Sequence, residues 1–204
     1  VVDSEGFAPI TVSLDNLEIR EKDFGTTLAL IRGTAGIMKE MGYQVGGFRA
    51  TISSSVLRGS GLSSSAAFEV LIAAILDGLY NGFIVDAKTR AVIAQKVENV
   101  YFGKPCGLMD QMASSVGGMV TIDFKEKDAK VEAIACDFAA KGYALCVVNT
   151  GGDHGDLTDD YAAIRQEMEA VAAHFGKHVL REVEPETVES HIGELRKACG
   201  DRAV

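Results

Sequence analysis

The chain has 204 residues, 47% of them hydrophobic, and a formal net charge of −9, enough to bury one large core or two smaller ones. The acidic balance argues against nucleic acid and anionic membrane surfaces as partners, since their phosphates would be repelled, and no apolar run reaches the ~18 unbroken residues of a membrane span. No secretory signal is read at the start, and Cys106, Cys136, Cys146 and Cys199 are scattered without a Cys-x-x-Cys pair, so reduced thiols in a cytoplasmic protein are expected.

In chain order, Ile10, Val12 and Leu14 alternate with polar neighbours as in a strand. Residues 24–41 carry helical spacing through Leu30, Ile31, Ile37, Met38 and Met41, with Thr26 or Thr27 to cap the start and Gly42 to stop it. Phe48, Ala50 and Ile52 alternate again, predicting a strand over 47–57. Arg58-Gly59-Ser60-Gly61-Leu62-Ser63-Ser64-Ser65-Ala66 follows, and then an almost continuously apolar run to Tyr80, closed by Asn81-Gly82. That run predicts a buried helix. Its serines can cap the helix start, and its glycines let the backbone bend close to a ligand. Two readings stand side by side here: a serine-capped turn, or an anion site on the helix N-terminus. A dinucleotide fingerprint would need a third glycine where Ser64 stands, a Walker A loop a Lys-Ser/Thr pair, and a hydrolase elbow a Gly-x-Ser-x-Gly; none is present.

A second helix is predicted from Asp86, a plausible cap, to Tyr101, with Ile93, Val97, Val100 and Tyr101 inward. Glu98 lies beside that face, either a surface glutamate or a placed ligand. Gly103-Lys104-Pro105-Cys106-Gly107-Leu108-Met109-Asp110-Gln111-Met112 breaks the helix, and Gly107 can let the backbone approach another group closely. Asp110, among Leu108, Met109 and Met112, is either a helix cap or a chemical group. Leu145 to Val148 predicts a short buried strand, ended by Gly151-Gly152. Thr158 can cap a helix bearing Tyr161, Ile164, Met168, Val171 and Phe175, stopped at Gly176. The histidines have no metal-type spacing, and Asp153-His154 is at most close to a substrate. After Leu180 the chain is acidic and helical, with no site.

Three of these stretches, in this order, resemble the GHMP kinases of sugars and small alcohols. The serine loop is similar to the family pattern Pro-x-Gly-x-Gly-Leu-x-Ser-Ser-Ala, with Leu57 in the place of the proline. The segment from Gly103 to Met112 resembles the galactokinase segment that ends in the catalytic aspartate, and Val147 to Tyr161 matches a third block. The resemblance covers nearly the whole chain. It implies an α+β two-domain fold: a ribosomal-protein-like N-terminal domain over 1–140, carrying the phosphate loop and the catalytic aspartate, and the start of the C-terminal domain over 141–204.

It further implies ATP held by Gly59, Ser60, Gly61, Leu62, Ser63, Ser64 and Ser65, and magnesium held by Ser65 and Glu98. Asp110 would act as base on the anomeric hydroxyl of galactose, and Gly107, Asp110 and Tyr161 would contact the sugar. The alternatives within the resemblance are a sister kinase acting on N-acetylgalactosamine or arabinose, and a non-catalytic galactose and ATP sensor. Galactokinases carry a transition-state arginine and sugar-selecting residues in an earlier motif and a glycine-rich motif later on. Neither occurs here, where Arg58 and Lys104 are the cations near the motifs. A central segment of a longer kinase is therefore expected, inactive by itself and inclined to form homodimers through apolar faces left uncovered.

Overall fold

A computed structural model describes residues 1–56, 61–148 and 158–204, apart from the side chains of Thr158, Asp159 and Tyr161. The chain divides into two compact units: Val1–Gly118 with Cys136–His154, and Met119–Ala135 with Gly155–Val204.

In the first unit, β1 (Val2–Ser4) and β2 (Ala50–Ile52) pair in parallel, with Val2 opposite Ala50 and Ser4 opposite Ile52. The predicted strand over 47–57 contracts to these three residues, Ala50 and Ile52 half-buried and Thr51 exposed between them. Residues 10–14 make no strand beyond a single bridge between Ile10 and Val2. Their alternation nevertheless describes their burial: Ile10, Val12 and Leu14 pack on the core while Thr11 and Ser13 face solvent.

Helix α1 (Thr27–Glu40) starts as expected, the Thr26 hydroxyl accepting from the Ala29 amide at 3.3 Å, and it ends as Gly42 takes a φ of +89°. Helix α2 (Ser64–Tyr80) closes at Asn81, whose side chain also clasps Gln44. It is not buried all round as predicted. Leu79 is 59% exposed, and Leu71 and Tyr80 are also exposed, because the helices that pack on it leave these positions uncovered. Helix α3 (Ala87–Val97) is capped by Asp86, which accepts from the Thr89 amide at 2.9 Å. Asp77, fully buried on α2, fixes the turn into α3 by accepting from the Val85 amide with both oxygens. The core lies among these helices, built on Met38, Ile72, Leu76, Ile93 and Val97.

The predicted helix does not run unbroken to Tyr101. At Glu98 it widens into a π-helical turn, Glu98–Phe102. The wider turn rotates the residues after Glu98, so Val100, predicted inward, is exposed, whereas Glu98 itself is buried. Tyr101 docks the turn on α1: its hydroxyl donates to the Leu17 carbonyl at 2.7 Å, and its ring lies where a Cβ on Gly33 would be only 2.7 Å away. Gly103 ends the turn at φ +78°, with the Phe24 ring against its Cα. Helix α4 (Met109–Val116) follows and packs on α2 and α3.

Leu145–Val148 forms no strand and is exposed, Leu145 to 83%. Among the described residues no neighbouring strand offers it a hydrogen-bonding edge, and an apolar run without a partner has no ladder to join.

The second unit holds a hairpin that periodicity analysis did not mark: β3 (Met119–Asp123) against β4 (Lys130–Ile134), antiparallel, Thr121 opposite Glu132. It also holds α5 (Thr158–His174), α6 (Pro185–Ser190) and α7 (Ile192–Cys199). Val171, Ala172 and Leu195 are buried between α5 and α7, whereas Ile164 and Met168, expected on the inner face, are about half exposed. Arg202 ties the C-terminal end to α5 through Glu167 at 2.6 Å and Asp160 at 3.0 Å. His174 and His191 stack edge-on against Phe175, which accounts for them as structural residues.

Candidate active site

The stretch between β2 and α2 contains Gly61 at φ +74° and Ser63 at φ +55°. A left-handed serine is uncommon, and its geometry explains what the residue does. Ser63 occupies the N-cap position of α2, yet its side chain makes no cap bond. Its hydroxyl turns away and donates to Asp110 Oδ2 at 2.5 Å, across 47 residues of sequence. Capping by the serines, one of the two readings of this loop, is thus not what Ser63 does. The first-turn amides of α2 are left for another acceptor.

Asp110 is in the first turn of α4 and half-buried. It is not the cap of that helix, whose N-cap residue is Leu108. Its surroundings are less apolar than predicted: Met109 is 61% exposed, and the neighbour that matters is Ser63.

One residue beyond Ser64 on α2, the Ser65 hydroxyl donates to Glu98 Oε1 at 3.1 Å. Glu98 is 3% exposed, hence no surface glutamate: it continues the buried face of Ala91 and Ala94 on α3. Its other oxygen accepts from Gln111 Nε2 at 2.7 Å, and Lys104 Nζ lies 3.7 Å from Oε1. The loop between them is pinned as the Asn99 side chain accepts from the Cys106 amide at 2.7 Å. Burial, with the Glu98 charge adding to it, pushes the Cys106 thiol up to about 12, so it stays neutral at physiological pH.

Two further buried groups were not marked by motif. Glu69, four residues after Ser65 on the same face of α2, is fully buried. Burial first, and then the Glu98 charge, push its carboxyl up to about 9, Lys104 pulling in the other direction. Gln111 is 1% exposed. A glutamate inside an otherwise apolar helix was the available signal for the first; nothing in the spacing announced the second.

The structure therefore brings Ser63, Ser65, Glu98 and Asp110 together. Gly61, Leu62 and Ser64 lie on the same bend, and Leu62 is 44% exposed. Gly107 lies in the loop before α4, where a Cβ would meet nothing within 4 Å. Gly59, Ser60 and Arg58 fall outside the described residues, as do Asp153 and His154. Tyr161 is on α5 in the other unit. Among the described residues no three His, Cys, Asp or Glu side chains form a metal cage, no helix is long and apolar enough to cross a membrane, and the four cysteines are unpaired.

Comparison with known proteins gives a consistent answer. Residues 29–118 match the model of the GHMP kinases N terminal domain. The chain is 33% identical over 84% of its length to a galactokinase of Streptomyces coelicolor and 31% over 91% to one of Pyrococcus furiosus. It spans about half the length of these curated relatives, 46% and 49%. The fold matches that of Lactococcus lactis galactokinase, crystallised with galactose, at a TM-score of 0.70 and 22% identity over 95% of this chain and 51% of that one. An α+β GHMP-kinase fold is what that likeness shows. The serine bend, the buried Glu98 and Asp110 all lie within residues 29–118, so the site sits in the part of the chain that is similar to the GHMP kinases N terminal domain.

Proposed function

We propose that the protein serves the ATP-dependent phosphorylation of galactose at its anomeric hydroxyl, with the domain boundary near residue 141 that the family resemblance implies. The observation that carries this reading is the Ser63–Asp110 bond, which joins the mouth of a helix to a carboxylate from a distant helix. Phosphoryl transfer is mostly positioning and neutralisation of charge. The amides from Gly61 to Ser65, at the positive end of the α2 dipole, hold the phosphate tail of ATP, and the family resemblance adds Gly59 and Ser60 to them. Ser63 fixes the rotamer of Asp110 through Oδ2, and Oδ1 accepts the proton of the sugar hydroxyl as it attacks. The family resemblance assigns further sugar contacts to Gly107 and Tyr161.

A divalent cation fits the residues present. Ser65 and Glu98 offer hard oxygen donors, and the buried Glu69 oxygens beside them have no hydrogen-bond partner among the described residues. Magnesium, when bound there, would neutralise charge on the phosphate oxygens. Lys104, close to Glu98, limits the negative charge the site must bear. The exposed apolar run through Leu145, Val147 and Val148 is the surface on which a homodimer would form.

The experiment is Asp110→Asn in the intact protein, followed by galactose-dependent ADP release and by ATP binding. Binding is expected to survive while turnover falls by about 10²–10⁴-fold, the usual worth of a general base. Turnover equal to that of the parent would remove Asp110 from the role.

A further inference from the structure

Glu69 is the least comfortable residue of this site. It is fully buried, and neither carboxylate oxygen has a hydrogen-bond partner among the described residues. Gln111 Oε1 is buried and without a partner as well, although the Nε2 of the same side chain is engaged by Glu98. Buried polar atoms are nearly always bonded, and each orphan asks for an explanation. All three atoms can accept a hydrogen bond, and among the described residues no donor reaches any of them.

The setting says which donor. Glu69 stands one helical turn after Ser65, whose hydroxyl is bonded to Glu98 Oε1, and Gln111 is bonded to Glu98 Oε2. The charges that act on Glu69 are those of Glu98 and Lys104. Orphaned acceptors thus border the oxygen pair assigned to the cation. Magnesium dehydrates reluctantly and keeps several waters, whose hydrogens point outward and are strong donors. Ser65 and Glu98 supply two oxygens, and the remaining positions fall to nucleotide phosphates and water.

We propose that Glu69 is a positioning residue of the cation site: with Gln111 Oε1 it accepts hydrogen bonds from waters on the divalent ion that Ser65 and Glu98 hold. This rests on the cation reading of Ser65 and Glu98. Glu69 touches neither sugar nor phosphate in this scheme and acts through the ion's hydration. Partners of this kind are typically worth about 10–100-fold in metal affinity.

The test uses Mn²⁺ as the probe with the intact protein and a non-hydrolysable ATP analogue, reading free Mn²⁺ by electron paramagnetic resonance and bound water by proton relaxation enhancement. Glu69→Met removes the acceptors, and Mn²⁺ affinity is expected to fall by about 10–100-fold with altered relaxation enhancement. Glu69→Gln keeps one acceptor oxygen and is expected to fall between parent and Met variant, a rescue that a merely space-filling role would not produce. Should Glu69→Met fail to fold, Glu69→Gln carries the test by itself, with an affinity expected below that of the parent; Gln111 is left intact because its Nε2 also bonds Glu98. Unchanged Mn²⁺ affinity and relaxation in the folded variants would overturn the proposal. Glu98→Gln separates the two levels: if it loses Mn²⁺ while Glu69→Met does not, the role of Glu69 alone falls. If it too binds like the parent, the cation reading falls with it.

Discussion

Replacing Glu69 by methionine should make the protein more stable, and increasingly so as pH rises. The side chain is completely buried, with neither oxygen bonded among the described residues, and a buried polar group without a partner costs about 1–3 kcal/mol. Methionine is unbranched and of similar length, so the packing loss should stay below about 1.5 kcal/mol. A net gain of about 1 kcal/mol is expected at acid pH, where the carboxyl is neutral in both the folded and the unfolded state. The sign of the pH dependence follows from which state holds the proton. The folded carboxyl is raised from 4.5 to about 9, while the unfolded one ionises near its ordinary value. Between these values the folded state binds more protons, so the parent's stability is greatest below 4.5 and is lost as pH rises toward about 9. The slope is at most about 1.4 kcal/mol per pH unit. The methionine variant lacks that slope, so its advantage should widen across this range and level off above it. Urea unfolding followed by circular dichroism at a series of pH values, with the m-value checked for constancy, measures it directly. A variant less stable than the parent at every pH, or a gap that does not grow with pH, would refute the reasoning. A gain in stability together with weaker Mn²⁺ binding would be the expected mark of a residue kept for function against the interest of the fold.

Two other perturbations test the framework around the site. Gly103→Ala combines a left-handed φ of +78° with a Cβ 2.5 Å from the Phe24 ring; strain and overpacking together should cost about 2–5 kcal/mol, read as a lower melting temperature, and an unchanged one would count against the described π turn. Asp86→Ala removes the cap of α3 and should cost about 1 kcal/mol in urea unfolding. The amide and hydroxyl of Thr89 hold the Asp86 carboxyl below its ordinary 3.8, so the cap's contribution is present above that value and is lost as pH falls through the lowered one. A difference between parent and variant that persists in acid would exclude the cap as its source.

The helices around the core were legible because each carries its own signals. Thr26, Asp86 and the Asn81-Gly82 pair mark ends by local hydrogen bonding and backbone freedom, and the apolar spacing of α1 and α3 marks the buried face. The serine bend, Glu98 and Asp110 were legible as candidates through a resemblance that spans three separated motifs. Their roles were not, because a glutamate beside an apolar face or an aspartate at a helix start is locally indistinguishable from an ordinary surface residue or cap.

Which of these side chains are buried and what they touch was decided by contacts far apart in the chain. Glu98 continues the buried face of Ala91 and Ala94, and the π turn that starts there turns Val100 outward. Ser63 gives up its cap position for Asp110, 47 residues on. Leu145–Val148 has the composition of a strand but no partner edge among the described residues, and a ladder depends on its neighbour as much as on itself. Residue identity set which segments could be helix, bend or acid in this chain. Only packing decided which carboxylates were taken out of water and brought to one helix mouth, since desolvation belongs to the assembled surroundings and to no residue alone.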